Sequence, residues 1–358
     1  MKSRFRIDFW LLIPVFILIA VSLTTLSTIN INYLKSQAVS LVIALLAFFF
    51  FSKISLDFLK KLKLPIYIIA LILLTIVLLI GIESRGAVRW IEISGITLQF
   101  SEILKPFLAI SFAAFIAQSS YSKNKIFLLS ILLLLPVFLL ISLQPDLGSG
   151  LVYALVAIFA LVAVGFPVFL FGLSLVPIIL SLPFIWTFLH DYQKQRVLTL
   201  FHPTSDPLGT SYNSIQAIIT VGSGMFLGRG LFEGTQSALK FLPERHTDFI
   251  FATIAEGLGF IGAFFIICIF AFLYYRVYII FKNSDNSFDR IFSACCFGFF
   301  FIQGSINIAM NIGILPIVGI TLPFVSYGGN SLISNFIFLG ILSAISKSQR
   351  KTHTIEIR

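Results

Sequence analysis

The chain has 358 residues, of which 58% are apolar, 41 are phenylalanine and only 11% are charged, and its mean hydropathy is +1.02. Water-soluble domains carry roughly 25% charged residues, so this chain lacks the polar side chains to cover a soluble surface and must be solvated by lipid. The net charge of +10 is spread between apolar runs rather than along one stripe, which fits membrane orientation and argues against a nucleic-acid partner.

A bilayer core about 30 Å thick takes roughly 20 helical residues to cross. By that measure the apolar runs predict an all-α polytopic membrane protein of about ten transmembrane helices in a single integral domain, 1–358. The spans fall at about 9–29, 38–56, 64–82, 103–117, 126–143, 147–165, 168–189, 249–275, 291–313 and 332–345. The first run follows Lys2, Arg4 and Arg6 as a signal peptide would, but it is long and further spans follow, so it reads as an uncleaved anchor. The run at 103–117 is short and flanked by Glu102 and Lys105, and the run at 168–189 carries Pro177 and Pro183. Lys53, Lys60, Lys61, Lys63, Lys123, Lys125, Arg276, Lys282, Lys347 and Arg350 then fall on the same side as the amino terminus, which predicts cytoplasmic termini and one large extracytoplasmic loop at 190–248. Cys268, Cys295 and Cys296 lie inside apolar runs and read as packing residues.

In chain order, the first outer cluster is Arg85-Gly-Ala-Val-Arg-Trp90 with Glu92, followed by Glu102 and Lys105 at a span entrance, spaced to form a structural ion pair. Gln144-Pro-Asp-Leu-Gly148 begins another span, and Asp146 fits a helix cap or a site residue equally. The outer loop holds a glycine-dense stretch, Gly222 to Gly234, that reads as a tight turn or a re-entrant segment. No Lys-Ser or Lys-Thr follows it, so it is not a P-loop and no nucleotide site is expected. The loop ends in Phe241-Leu-Pro-Glu-Arg-His-Thr-Asp248 at a membrane boundary. With a helix starting near Thr247, Asp248, Ala252 and Glu256 share one face and put two carboxylates toward the bundle interior, although capping alone also explains Asp248. Glu256 is harder to dismiss, because ionisable side chains inside membranes have a partner or a task. Gln303, Asn307 and Asn311 form a polar stripe read as interhelix hydrogen bonding. The Pro- and Gly-rich tail from Leu315 to Gly329 reads as a non-helical outer segment lining a cavity.

These motifs together resemble the SEDS family of bacterial envelope polymerases: Arg89-Trp90-Ile91, the Glu102/Lys105 pair, Gln144–Gly148, Gly234-Thr-Gln236, Leu242-Pro-Glu-Arg-His-Thr-Asp-Phe-Ile-Phe251 and Leu322-Pro-Phe-Val-Ser-Tyr-Gly-Gly329. Arg245 after Glu244, with Asn311 to Pro316, resembles the elongation branch more than the division paralogue. The sequence departs from the pattern at Gly257 and Asn330.

The resemblance implies a peptidoglycan glycosyltransferase of the bacterial inner membrane that polymerises lipid II onto a growing glycan strand, with the site on the extracytoplasmic face. It implies Asp248 as the catalytic base, Arg89, Trp90, Arg196, Glu244, Arg245, His246, Thr247 and Ser326 as substrate-binding residues, and Glu102, Lys105 and Glu256 as an ion pair or groove. A divalent cation, Mg2+ or Mn2+, fits the leaving diphosphate, with Asp146 and Glu244 as its candidate ligands. The partners implied are a class B penicillin-binding protein and other elongation-complex proteins. The rival readings are a transporter or flippase for lipid II or another amphiphile and a purely structural scaffold.

Overall fold

The first two helices, α1 (Phe9–Ile29) and α2 (Ile31–Phe51), are separated only by Asn30, whose side chain accepts from the Asn32 N–H at 2.9 Å and so caps α2. The computed structural model describes residues 8–84, 87–93, 96–188, 194, 195, 198, 199, 211–231, 233, 234, 236, 239 and 241–356. Among them α2 starts at Ile31 rather than near residue 38: its first turns carry the exposed polar residues Asn32, Lys35 and Ser36, which an apolar-run count leaves out, and the buried Gln37.

A short helix, α3 (Leu56–Lys61), precedes α4 (Lys63–Ile80). The chain then forms a small antiparallel sheet, β1 (Ile82–Ser84), β2 (Ala87–Ile93) and β3 (Ile96–Leu98), in the order β1-β2-β3. This sheet is an addition to the helical fold that the sequence predicts, and it presents Arg89 and Trp90. Next come α5 (Phe100–Ile103), α6 (Lys105–Ala117), α7 (Lys123–Leu143), α8 (Leu147–Ala163) and α9 (Val168–Phe188). A further helix, α10 (Tyr212–Ser223), lies within the segment read as the large loop. The last three are α11 (Ile250–Lys282), α12 (Ser287–Asn311) and α13 (Gly329–Glu356).

Seven helices among the described residues are long and apolar enough to cross a membrane: α1, α2, α4, α7, α11, α12 and the Gly329–Gln349 part of α13. The apolar helices α6 and α8 are shorter. At 1.5 Å per residue α6 has a rise of only about 20 Å, and the short α5 precedes it across Leu104. Phe50, 64% exposed, and Leu46, 65% exposed, lie on α2 where only lipid could cover them. At the centre α12 packs against α6, α8 and α11, while α13 lies along α2 and α1 along α11.

The glycine-dense stretch lies backbone to backbone on the first half of α11. Gly259, at φ +69°, interrupts that helix, and the freed N–H groups of Phe260 and Ile261 donate to the carbonyls of Met225 at 2.9 Å and Phe226 at 3.3 Å. In return the Arg229 and Gly230 N–H groups donate to the carbonyls of Glu256 and Gly257 at 2.9 and 3.0 Å. A Cβ on Gly224 would overlap the Ala255 carbonyl oxygen, whereas one on Gly222 would meet open space. Gly224→Ala is therefore expected to cost about 1–3 kcal/mol or more through overpacking against backbone, and Gly222→Ala to leave stability unchanged or slightly raised. Thermal unfolding of the two variants in detergent checks the contrast.

Candidate active site

The segment before α11 is held in an unusual path. Glu244 adopts φ +51°, a left-handed conformation that side-chain-bearing residues rarely take, and its carbonyl accepts from the N–H groups of Thr247 at 3.1 Å and Phe249 at 3.2 Å. The Thr247 hydroxyl lies 3.0 Å from Glu244 Oε2. Three successive carbonyls are then tied to neighbouring elements. That of His246 accepts from the Tyr327 N–H at 2.9 Å, that of Thr247 from the Ser326 hydroxyl at 2.7 Å, and that of Asp248 from the Nδ2 groups of Asn307 and Asn311, each at 3.0 Å.

The start of α11 is satisfied from across an interface. Its N-cap is Phe249, which has no side-chain cap bond, so Asp248 is not the cap. Asn311 Oδ1 instead accepts from the Ala252 N–H at 3.0 Å, filling one of the open donors of the first turn. Of the polar stripe, only Asn311 makes the expected interhelix bond, to Ala252; Asn307 binds the Ile320 carbonyl, Gln303 Oε1 has no hydrogen-bond partner among the described residues, and Asn307 and Asn311 together fix the backbone of Asp248.

Asp248 is half-buried, and its carboxylate opens into a cavity. Arg89, Trp90, Gln99 and Glu102 line it, with Glu244 and Thr247 from the loop and Gly319, Thr321, Tyr327, Gly328, Asn330 and Ser331 from the segment after α12. That placement of the Pro- and Gly-rich segment matches the cavity-lining role its composition predicts. Gly319 takes φ +70°, a conformation that favours glycine, and lies beside the carboxylate, where a Cβ would sit in ordinary contact 3.6 Å from Asp248 Oδ2. Asn330 ties the α13 start to the sheet by donating to the Thr97 carbonyl at 3.0 Å.

Several sequence expectations change. Asp248 and Glu256 do not share a helix face, because α11 begins at Ile250 and Asp248 lies on the turn before it. Glu256 is fully buried under the glycine-dense segment, where Oε1 accepts from the Gln236 N–H at 2.8 Å and the side chain abuts Gly234. Ser326 is buried and is not among the residues lining the cavity: its hydroxyl accepts from the Leu322 N–H at 2.8 Å while donating to the Thr247 carbonyl, so it pins two loops together. Arg245 and His246 line a separate recess with Asn30 and Tyr33, away from the Asp248 carboxylate. There the His246 ring stacks on Tyr33 with centroids 4.2 Å apart and the Tyr327 ring 5.5 Å away. Burial pushes the Arg245 guanidinium down from its ordinary pKa, against the opposing pull of Tyr33 and Glu256, and its Nη1 has no hydrogen-bond partner among the described residues. Arg196 lies outside the described residues.

Asp146 is both cap and clamp. Oδ1 accepts from the Ser149 N–H at 3.4 Å at the start of α8 and lies 3.6 Å from Arg89 Nη1, while Oδ2 accepts from Ser101 at 3.2 Å and Gln99 at 3.4 Å. Of the two candidate metal ligands, Glu244 lines the cavity and Asp146, engaged with Ser149, Ser101, Gln99 and Arg89, does not. No three His, Cys, Asp or Glu side chains among the described residues gather as a metal cage. The clamp aims Arg89 at the cavity, with Nε buried and lacking a partner among the described residues. Glu102 and Lys105 form the expected ion pair at 2.5 Å, Lys105 being 1% exposed.

The sequence did not reveal Gln37 or Tyr33. Gln37 Oε1 accepts from the Gly328 N–H at 3.1 Å, and its Nε2 donates to the Ser326 carbonyl at 3.3 Å. A glutamine near the start of an apolar run was the available signal. Asn311→Leu is expected to lower turnover about tenfold with the helices intact, because each buried group left unpaired costs about 1–3 kcal/mol; steady-state rates beside a helical spectrum check it.

A helical body with apolar spans carries one aspartate-bearing loop, turned by the left-handed Glu244, over a cavity lined by charged and polar side chains. The family model described as cell cycle protein, which spans FtsW, RodA and SpoVE, matches residues 3–351, and the chain belongs to this SEDS family. It is 41% identical over 285 residues to the peptidoglycan glycosyltransferase MrdB of Escherichia coli strain K12, covering 78% of this chain and 76% of that one. A chain from a study of how a peptidoglycan synthase complex coordinates polymerisation and crosslinking superposes with TM-score 0.83 at 28% identity, covering 96% of this chain and 98% of that one. The rod shape determining protein RodA of Thermus thermophilus superposes with TM-score 0.72 at 26% identity, covering 97% and 99%.

Proposed function

We propose that this protein is a peptidoglycan glycosyltransferase of the elongation type, polymerising lipid II into β-1,4-linked glycan and releasing undecaprenyl diphosphate. The observation that carries the mechanism is the placement of Asp248: its backbone is fixed by Asn307 and Asn311 while its carboxylate faces a polar cavity with Arg89 on the wall. Asp248 accepts the proton of the acceptor GlcNAc 4-hydroxyl as that oxygen attacks the anomeric carbon of the donor MurNAc. The carbon–oxygen bond to the diphosphate breaks in line, which inverts an α linkage to β, and the proton later passes to water. Arg89, held by Asp146, meets the negative charge that grows on the departing diphosphate.

A divalent cation arriving with the substrate diphosphate would be held by Glu244 on the cavity wall, leaving the Asp248 carboxylate to take the proton. Bound there it would neutralise charge on the diphosphate. Asp146 is not among its ligands.

The excess of Lys and Arg at the ends of α2, α3 and α13 supports cytoplasmic termini and an extracytoplasmic cavity in the inner membrane. The likeness to a synthase-complex chain supports a class B penicillin-binding protein as transpeptidase partner, alongside other elongation proteins. Incubation of the detergent-solubilised protein with lipid II tests the reading: glycan strands are the expected product. Transport needs two compartments and polymerisation does not, so movement of lipid II across vesicles without glycan in detergent would favour the transporter, and neither activity would favour the scaffold.

A further inference from the structure

The glycine-dense segment after α10 ends in an apolar tip that takes no part in the catalytic cavity. Met225, Phe226 and Leu227 are 77%, 63% and 76% exposed, and Ile218 and Ile219 are exposed on the helix that leads to them. Met225 holds φ +49°, so the turn keeps a long apolar side chain where glycine would fit at no conformational cost. The tip continues a face that lipid already covers. Phe226 stacks on Phe260 with ring centres 5.9 Å apart, and Phe260 stacks on Phe264 at 6.0 Å. Phe260, Ile261, Phe264 and Phe265 are exposed on α11, a helix long and apolar enough to cross a membrane.

The depth of the tip follows from α11. Exposed Tyr275 and Tyr278 flank Arg276 at the end of the bundle away from the cavity, where amphipathic rings mark a membrane–water boundary. From Arg276 back to Phe260 the helix rises about 24 Å, against a hydrocarbon core about 30 Å thick. Phe260 and the tip beside it therefore lie inside the core, about 6 Å below the other boundary, and any tilt of α11 takes them deeper. Non-helical backbone is tolerated at such a level only where protein satisfies its polar groups. That condition is met here. The Met225 and Phe226 carbonyls accept the N–H groups that Gly259 frees, the Met225 N–H donates to the Gly222 carbonyl at 3.2 Å, the Gly228 N–H to that of Gly224 at 2.9 Å, and the Arg229 and Gly230 N–H groups to α11.

We propose that residues 222–230 form a re-entrant turn whose tip, Met225, Phe226 and Leu227, is buried among the acyl chains of the leaflet on the cavity side. Lipid then covers side chains that water would leave exposed, and it presses the turn onto the broken stretch of α11. The bilayer thereby helps to hold the half of α11 that begins beside Asp248.

The test uses the full chain in phosphatidylcholine vesicles, with the exposed Cys268 replaced by alanine, the buried Cys295 and Cys296 left in place, and a nitroxide attached at Phe226→Cys. Collision with oxygen, which concentrates in hydrocarbon, is compared with collision with a polar nickel chelate, which stays in water. Oxygen is expected to exceed the chelate about tenfold at this position, because the chelate loses its hydration on entering lipid. The order should reverse at Asn32→Cys, an exposed residue in the first turn of α2. Leu227→Cys serves as the second label position and should give the same excess of oxygen if Phe226→Cys does not fold. Preference for the nickel chelate at the tip puts the turn in water and overturns the proposal. Poor access for both reagents, with an immobilised spectrum, means that a second copy of the chain covers the tip in place of lipid, and overturns it equally.

Discussion

Asp248→Asn is expected to lower glycan synthesis from lipid II by two to four orders of magnitude, the range a lost general base typically removes. The substitution is nearly isosteric, and the backbone carbonyl of this residue is held by Asn307 and Asn311 in either variant. The loop should therefore keep its path, and the melting temperature should stay within a few degrees of the wild type. The loss belongs in kcat, because the amide still fills the same space beside Gly319 but no longer takes a proton. Single-turnover synthesis with purified protein, read beside the melting curve, separates the cases. A folded variant that polymerises at the wild-type rate removes Asp248 as the base, and a variant that loses rate only through unfolding makes it a structural residue.

The spans were legible in the sequence because lipid imposes one dominant rule, a run of apolar residues of fixed length, and α1, α7 and α12 follow it within a few residues. The rule fails at a helix end that is polar and largely exposed. The start of α2 carries Asn32, Lys35, Ser36 and Gln37 and still continues as helix, since Gln37 has bonding partners in the segment after α12. The small sheet was illegible for a related reason: its strands are three to seven residues long, too short for a period to emerge.

The site was legible residue by residue but not as a geometry. Arg89, Trp90, Glu244, Thr247 and Asp248 do line one cavity. Arg245 and His246, adjacent to them in sequence, face another recess because the left-handed turn at Glu244 sends neighbouring side chains in different directions. Helical spacing linked Asp248 to Glu256, and a start of α11 only a few residues later than assumed dissolved that link. The carbonyl clamps were beyond reach, since a polar stripe announces that hydrogen bonds exist and says nothing of which backbone they hold.

Breaking the Glu102–Lys105 pair should produce the largest loss of stability of any substitution near the cavity. Lys105→Met leaves the Glu102 carboxylate 7% exposed with its ammonium partner gone and with Oε2 already lacking a bond among the described residues. Removing one member of a buried pair costs about 3–5 kcal/mol, because the remaining charge stays desolvated. Replacing both, as Glu102→Leu with Lys105→Met, removes the two desolvation costs together and is expected to bring the melting temperature back to the wild-type range or above it. Activity should not recover in step. Glu102 reaches the wall of the Asp248 cavity while Lys105 does not, so an apolar patch would replace a charged one beside Arg89. The double variant therefore separates the two roles that the pair combines: stability restored with glycan synthesis still depressed assigns Glu102 to the groove, and recovery of both assigns the pair to the scaffold. If Lys105→Met alone melts like the wild type, water reaches Glu102 and the buried-pair description of the α5–α6 junction is wrong.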